Sequence, residues 1–142
     1  MHNYLKYWKV VKQFVKVKYK VSTSDLEMLL FLRSEKYFGK SDFDEFNELF
    51  HWDKNRFERL KKEGWIDVFR KKNGKQRVLY QLSYKAQRMI SSLYKKLEGE
   101  EIPESRTSNP MFLSDVSYTD KVHRNFIKKL NESIRQQQRL SQ

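Results

Sequence analysis

Apolar residues recur along this chain with two different periods, and the switches between them outline its elements. Over residues 3–19, Tyr4, Trp8, Val11 and Val15 stand at helical spacing, with Tyr7 and Phe14 beside them. Lys6, Lys9, Lys12 and Lys16 fill the opposite side, which predicts a basic amphipathic helix. Ser24, Asp25, Leu26 and Glu27 read as a capping box opening a second helix with the stripe Leu26, Leu29, Leu30 and Leu32, ending near Gly39. Ser41 is placed to cap a third helix, with Asp42 and Asp44 in its first turn and Phe43, Phe46, Leu49 and Phe50 as its buried stripe. His51 and Trp52 supply a turn. Asp53 then caps a short helix over 54–63, anchored by Phe57 and Leu60 and stopped by Gly64.

From Trp65 the period changes to that of a strand. Trp65 to Phe69 is apolar and aromatic apart from Asp67. Asn73-Gly74 is a two-residue hairpin signal, and Val78, Tyr80 and Leu82 alternate with Leu79 and Gln81. Ser83 caps a fifth helix over about 84–98 whose inner face is Met89, Ile90, Leu93, Tyr94 and Leu97, and Gly99 ends it. Residues 100–118 hold both prolines and many small polar residues, and read as an extended linker. Ser117 or Thr119 then caps a last helix to about residue 138, where Val122, Phe126, Leu130 and Ile134 recur every four positions with Ile127 alongside. One such stripe on an otherwise polar helix is an interface signal, and the glutamine-rich tail after it is expected to fray.

Charge changes this picture because it is clustered. The chain of 142 residues carries a formal charge of +12 with a pI near 9.8. Residues 1–20 hold six lysines and no acid, residues 24–53 hold eight acids against three bases, and residues 54–77 hold ten Lys or Arg against three acids, or +7. A polyanionic partner is the expectation. The absence of cysteine excludes disulfides, thiolate metal sites and thiol redox sensing. No apolar run approaches the ~20 residues needed to span a membrane, and the lysine-studded N-terminus is not a secretory signal, so a cytoplasmic protein is expected. A single alanine, Ala86, amid abundant Lys, Asn, Tyr and Phe points to an AT-rich genome, bacterial or phage.

The order of elements predicts a mainly α fold with a small β hairpin (α+β). It reads as a winged helix-turn-helix over 21–99, with a basic helix over 1–20, the linker 100–118 and a C-terminal helix in 119–142. Residues 24–98 resemble the MarR-type winged-helix transcription regulators. The likeness lies in the helix 41–50, the turn 51–53, the helix 54–63 and the phrase RLKKEGWIDVFRKKNGKQRVLYQLSYKAQRMI. Leu60, Glu63 and Gly64 fall on that family's junction between recognition helix and wing, and Leu82-Ser83-Tyr84-Lys85-Ala86 takes the place of its usual Leu-Thr-x-x-Gly. The resemblance implies that Arg77 is the wing arginine entering the minor groove, and that flanking helices pack into a homodimer. The chain departs from the family in its short wing, which lacks the acid that often precedes the arginine, and in its longer linker.

The candidate DNA-binding residues are Lys54, Asn55, Arg56, Arg59 and Lys62 on the helix, and Arg70, Lys71, Lys72, Lys75 and Arg77 on the hairpin. Asn and Arg at a helix start are the types that pair with adenine and guanine edges in the major groove, while the hairpin cations suit phosphates. Trp52 and Trp65, which flank the helix, are expected as core anchors. Trp8, Val11, Val15, Val122, Phe126, Leu130 and Ile134 are the candidate dimer seam. His2, His51 and His123 have no metal-ligand spacing, the four glycines make no phosphate loop, and neither enzyme chemistry nor a cofactor or metal is expected. Two functions follow as expectations. One is a sequence-specific double-stranded DNA-binding regulator acting as a homodimer. The other is a structural or protein-interaction module built on the same fold, for example in a phage particle or a replication assembly.

Overall fold

The computed structural model describes residues 4–140, so His2 and the expected helix start at Asn3 lie outside it. The elements are α1 (Tyr4–Tyr19), α2 (Thr23–Arg33), α3 (Lys40–Asn47), α4 (Arg56–Lys62), β1 (Ile66–Arg70), β2 (Leu79–Leu82), α5 (Tyr84–Leu97) and α6 (Tyr118–Leu140). Short 3-10 turns cover Glu48–Phe50 and Pro110–Phe112. The fold is mainly helical with one two-stranded antiparallel sheet, as the sequence patterns predict. The chain divides into two compact units, Ser22–Ile90 and the pair of segments Met1–Val21 and Ser91–Gln142.

In the unit Ser22–Ile90, α2 starts earlier than expected. Ser22 is its N-cap, and its hydroxyl accepts the Asp25 N–H at 3.2 Å. The helix also ends earlier, at Ser34, after which the chain turns, with Lys36 at φ +57°. There Phe38 pairs with Tyr80 of β2: the Phe38 N–H donates to the Tyr80 carbonyl at 3.0 Å, and the Tyr80 N–H donates back at 2.8 Å. α3 is capped at Gly39, whose N–H donates to Asp42 Oδ2 at 2.9 Å, and not at Ser41. Of the stripe expected for it, Phe43 is fully buried and Phe46 and Phe50 are half-buried, while Leu49 faces solvent.

α4 begins two residues after the expected start, because residues 54–55 form a turn in which Asp53 Oδ1 accepts the Asn55 N–H at 2.9 Å. It stops where expected. Gly64 takes φ +84°, the Trp65 N–H donates to the Leu60 carbonyl at 2.9 Å and the Gly64 N–H to the Lys61 carbonyl at 3.1 Å. That pair of bonds is a Schellman cap, which satisfies carbonyls the helix end would leave bare. Phe57, Leu60, Trp65, Ile66 and Leu82 enter the core with Phe38, Phe43 and the leucines of α2.

β1 and β2 pair Ile66 with Leu82 and Val68 with Tyr80, with an irregularity between Val68 and Arg70 that leaves Phe69 as an extra residue. The tip is shifted by one position from the expected turn. Asn73 and Gln76 bond to each other, so Gly74 and Lys75 are the central residues, and only Gly74 carries a positive φ, +59°. A positive φ at the first central position alone belongs to a type II′ turn, which matches the strand twist without asking Asn73 to strain.

The other unit is built from α1, α5 from Ser91, the segment after it, and α6. The segment 100–118 is not a free linker but a strap packed on α6. Ile102, Asn109 and Met111 are buried. The Asn131 side chain of α6 clasps the strap: its Oδ1 accepts the Ile102 N–H at 2.8 Å, and its Nδ2 donates to the Ile102 carbonyl at 2.7 Å. Asn109 stitches the strap to itself, donating to the Pro103 carbonyl at 2.8 Å and accepting the Met111 N–H at 3.0 Å. Arg135 pairs with Glu101 at 2.8 Å and Glu104 at 3.2 Å. α1 packs against α6 and against the turn at Pro110–Phe112.

That packing consumes the expected dimer seam. Val11, Val15, Leu130 and Ile134 are buried within the single chain and Trp8 and Val122 are half-buried, which leaves only Phe126 exposed. The stripe covers the chain's own core because the strap, invisible to helical periodicity, brings Ile102 and Met111 to it. α6 also stays helical through the glutamines to Leu140.

Candidate nucleic-acid interface

The ten expected contact residues fall into two groups with different fates. Arg56 shares a helix face with Leu60, one turn on, and that face is buried. Its side chain is therefore inside, 2% exposed. A buried guanidinium needs partners for its charge and its donors. Nε donates to Asp25 Oδ1 at 2.9 Å, Nη2 to the Phe50 carbonyl at 2.9 Å and Nη1 to Asn47 Oδ1. Asp25 and Asn47 are buried as well. Arg56 cannot reach a base edge from there, and its expected role as a reader is corrected to that of a core ion.

Arg59 is half-buried and turned to the same carboxylate. Its Nη2 lies 2.8 and 2.9 Å from the two oxygens of Asp25, its Nε donates to Oδ2 at 3.2 Å, and its Nη1 donates to Asp53 Oδ2 at 3.0 Å. Asp25 thus holds two arginines, and α2 is bolted to α4 through them. The bond from Asn47 Nδ2 to the Asp53 carbonyl at 2.8 Å ties in the end of α3. The Asn55 N–H, and after it Arg59, hold the Asp53 carboxyl below the usual carboxylate range. Asp25 first and Asp53 next push the Arg59 guanidinium further up.

The signal for this cluster is present in the sequence. Asp25 lies at i, i+3, i+4 and i+7 with Met28, Leu29 and Leu32, so an acid sits on an apolar face. The counterpart on the short helix is the arginine four residues before Leu60. Each break in a stripe requires the other.

What remains on α4 and its leading turn is Lys54, Asn55 and Lys62, all exposed. Lys61, half-buried, lies over the rings of Phe57 and Tyr80. The hairpin is the opposite case. Arg70, Lys71, Lys72, Lys75 and Arg77 are all exposed, and none has an ion-pair partner among the described residues. Arg70 donates to the Arg77 carbonyl at 3.1 Å, which bridges the two arms of the hairpin below its tip.

The two flanking tryptophans also part ways. Trp65 is buried as expected, with Lys85 Nζ 3.9 Å from its ring centre. Trp52 is 58% exposed, Leu49 three residues earlier is exposed as well, and His51 between them holds a φ of +58°. Leu49, within the 3-10 turn at Glu48–Phe50, and Trp52, just after it, both stay in solvent. Comparison with protein-family models, with curated proteins and with solved structures finds no match to this chain.

Proposed function

We propose that Ser22–Ile90 is a winged helix-turn-helix, akin to the MarR type, that binds double-stranded DNA chiefly through the phosphate backbone in the service of transcription regulation. In this reading α3 and α4 are the helix-turn-helix, α4 faces the major groove, and β1, β2 and the tip between them are the wing. The strand-like pairing of Phe38 with β2, ahead of α3, supports it. The observation that carries it is the set of five exposed hairpin cations with no carboxylate partner, since unpaired cations gathered on one loop gain most from a polyanion.

Base reading is the lesser part. With Arg56 and Arg59 engaged by Asp25, the side chains left for base edges are Asn55, Lys54 and Lys62. Sequence preference is accordingly modest and rests on Asn55. A homodimer, if the regulator uses one, needs a seam other than the stripe 122–134. The test is fluorescence anisotropy on a duplex at several salt concentrations. About six neutralised phosphates give a log–log slope of roughly −5. A flat response would remove DNA as the partner.

A second reading, a protein-interaction module, is favoured by one observation: two large apolar side chains three residues apart, Leu49 and Trp52, are both exposed ahead of α4. It predicts that Trp52→Ala leaves DNA binding intact while abolishing a protein complex.

A further inference from the structure

The outer side of the sheet carries an aromatic pair that the core does not use. Tyr37 and Phe69 stack with ring centres 3.9 Å apart and planes 22° from parallel. Tyr37 is 36% exposed, Phe69 47%, and neighbouring Val68 45%. Successive strand residues point to opposite faces, yet Val68 and Phe69 are both in solvent, and the register of β1 on β2 shifts between Val68 and Arg70. Tyr37 is held in register because Phe38, the next residue, is bonded to Tyr80 in both directions. The pair is therefore mounted on a sheet and not on a loose loop.

The surroundings say what would cover it. Lys36 Nζ lies 5.3 Å from the Tyr37 ring centre, and Arg70, Lys71 and Lys72 continue directly from Phe69. An apolar protein surface would have to bury those cations without compensation. A nucleic-acid strand with unpaired bases offers flat π-faces for the rings and phosphates for the cations together, which is the pairing of features that single-strand binding uses.

We propose that the Tyr37–Phe69 platform binds an unpaired nucleobase, so that the preferred substrate is a duplex carrying a single-stranded extension. This rests on the duplex reading above for the double-stranded part of that substrate, and it adds a stacking site outside α4 and the hairpin tip.

The test uses the full chain and three probes: a blunt duplex, the same duplex with a short single-stranded extension, and the extension strand alone. The extended duplex should bind roughly 5- to 100-fold more tightly than the blunt one, the gain expected from stacking one base. Phe69→Ala and Tyr37→Ala should each erase that gain while leaving blunt-duplex affinity within about two-fold. Phe69→Trp should keep it, and Phe69→Leu, which retains apolar area without a ring, should lose it. Equal binding of blunt and extended duplexes by the parent overturns the proposal and spares the duplex reading. A gain that survives Phe69→Ala and Tyr37→Ala also overturns it. If only the single strand binds, in a Phe69-dependent way, the platform stands and the duplex reading falls.

Discussion

α4 and the hairpin tip are both rich in cations, yet they spend them differently. Arg56 and Arg59 of α4 turn inward onto Asp25, where they join three helices. The five cations of residues 70–77 turn outward and pair with no carboxylate among the described residues. The difference follows from what each element can bury. A short helix that must seal a core has room for polar groups only if they come with partners. A two-stranded hairpin projects beyond the core and has nothing to pair with. Net charge along a sequence counts both kinds alike, so charge density locates a basic region without saying which of its members are available to a ligand.

The sharpest way to break that contrast is to remove Asp25. Asp25→Ala leaves Arg56 buried and uncompensated, and should destabilise the unit by about 3–5 kcal/mol in urea melts. The double variant Asp25→Leu/Arg56→Met should recover most of that loss, since apolar groups of similar volume replace a buried pair at little cost. Recovery without lost DNA affinity would show that Arg56 serves the fold alone.

A buried polar side chain outside the interface should behave in the same manner on a smaller scale. Asn131→Ala strips partners from both the N–H and the carbonyl of Ile102, and should cost about 1–3 kcal/mol. A loss below 0.5 kcal/mol would mean the strap is not held by this clasp.

A smaller effect again should come from pH. Burial pushes His123 below the ordinary histidine range, Asp120 opposes this, and Lys16, Lys12 and Lys9 add to it. Unfolded histidine titrates near pH 6.5. Between the folded value and that pH the unfolded chain holds more protons, so stability rises with pH across the window. His123's share is fully present above about pH 6.5 and is lost as pH falls through the folded value. Melts from pH 7.5 down to 5 should show the decline, and His123→Gln should flatten it. The free hairpin cations should contribute least to stability: Lys71→Ala and Lys72→Ala should each stay within about 0.5 kcal/mol of the parent.

Much of the fold was legible because its elements obey simple periods. The stripes of α1 and α2, the Gly64 stop and the hairpin all lie within a residue or two of where pattern puts them, and of the face expected for α5 Met89, Ile90 and Leu93 are buried while Tyr94 is exposed. The misses share one cause, which is a long-range partner. α2 stops short of Gly39, the stop signal in the sequence, and Phe38 just before that glycine pairs with Tyr80 instead. The strap over 100–117 has no period, so its packing depends on Asn131 and Asn109, whose amides replace secondary structure. The stripe of α6 has the look of a seam because nothing local reveals that the strap and α1 pack on that helix. The candidate site was half legible. The hairpin cations lie on the surface as their composition suggests, whereas the burial of Arg56 follows only when Asp25 is recognised as its mate. Trp52 is exposed although a bulky aromatic at a turn suggests a core anchor, because a turn carries no period that fixes which way its side chain faces.

The central claim, that the hairpin cations and not the α4 arginines meet the polyanion, is tested most directly by the salt dependence of duplex binding in a hairpin triple variant, Lys71→Ala/Lys72→Ala/Lys75→Ala. Losing about three phosphate contacts should reduce the magnitude of the log–log slope by roughly 3, from about −5 to about −2, with an unchanged melt. A triple variant that keeps the parent slope would contradict the account.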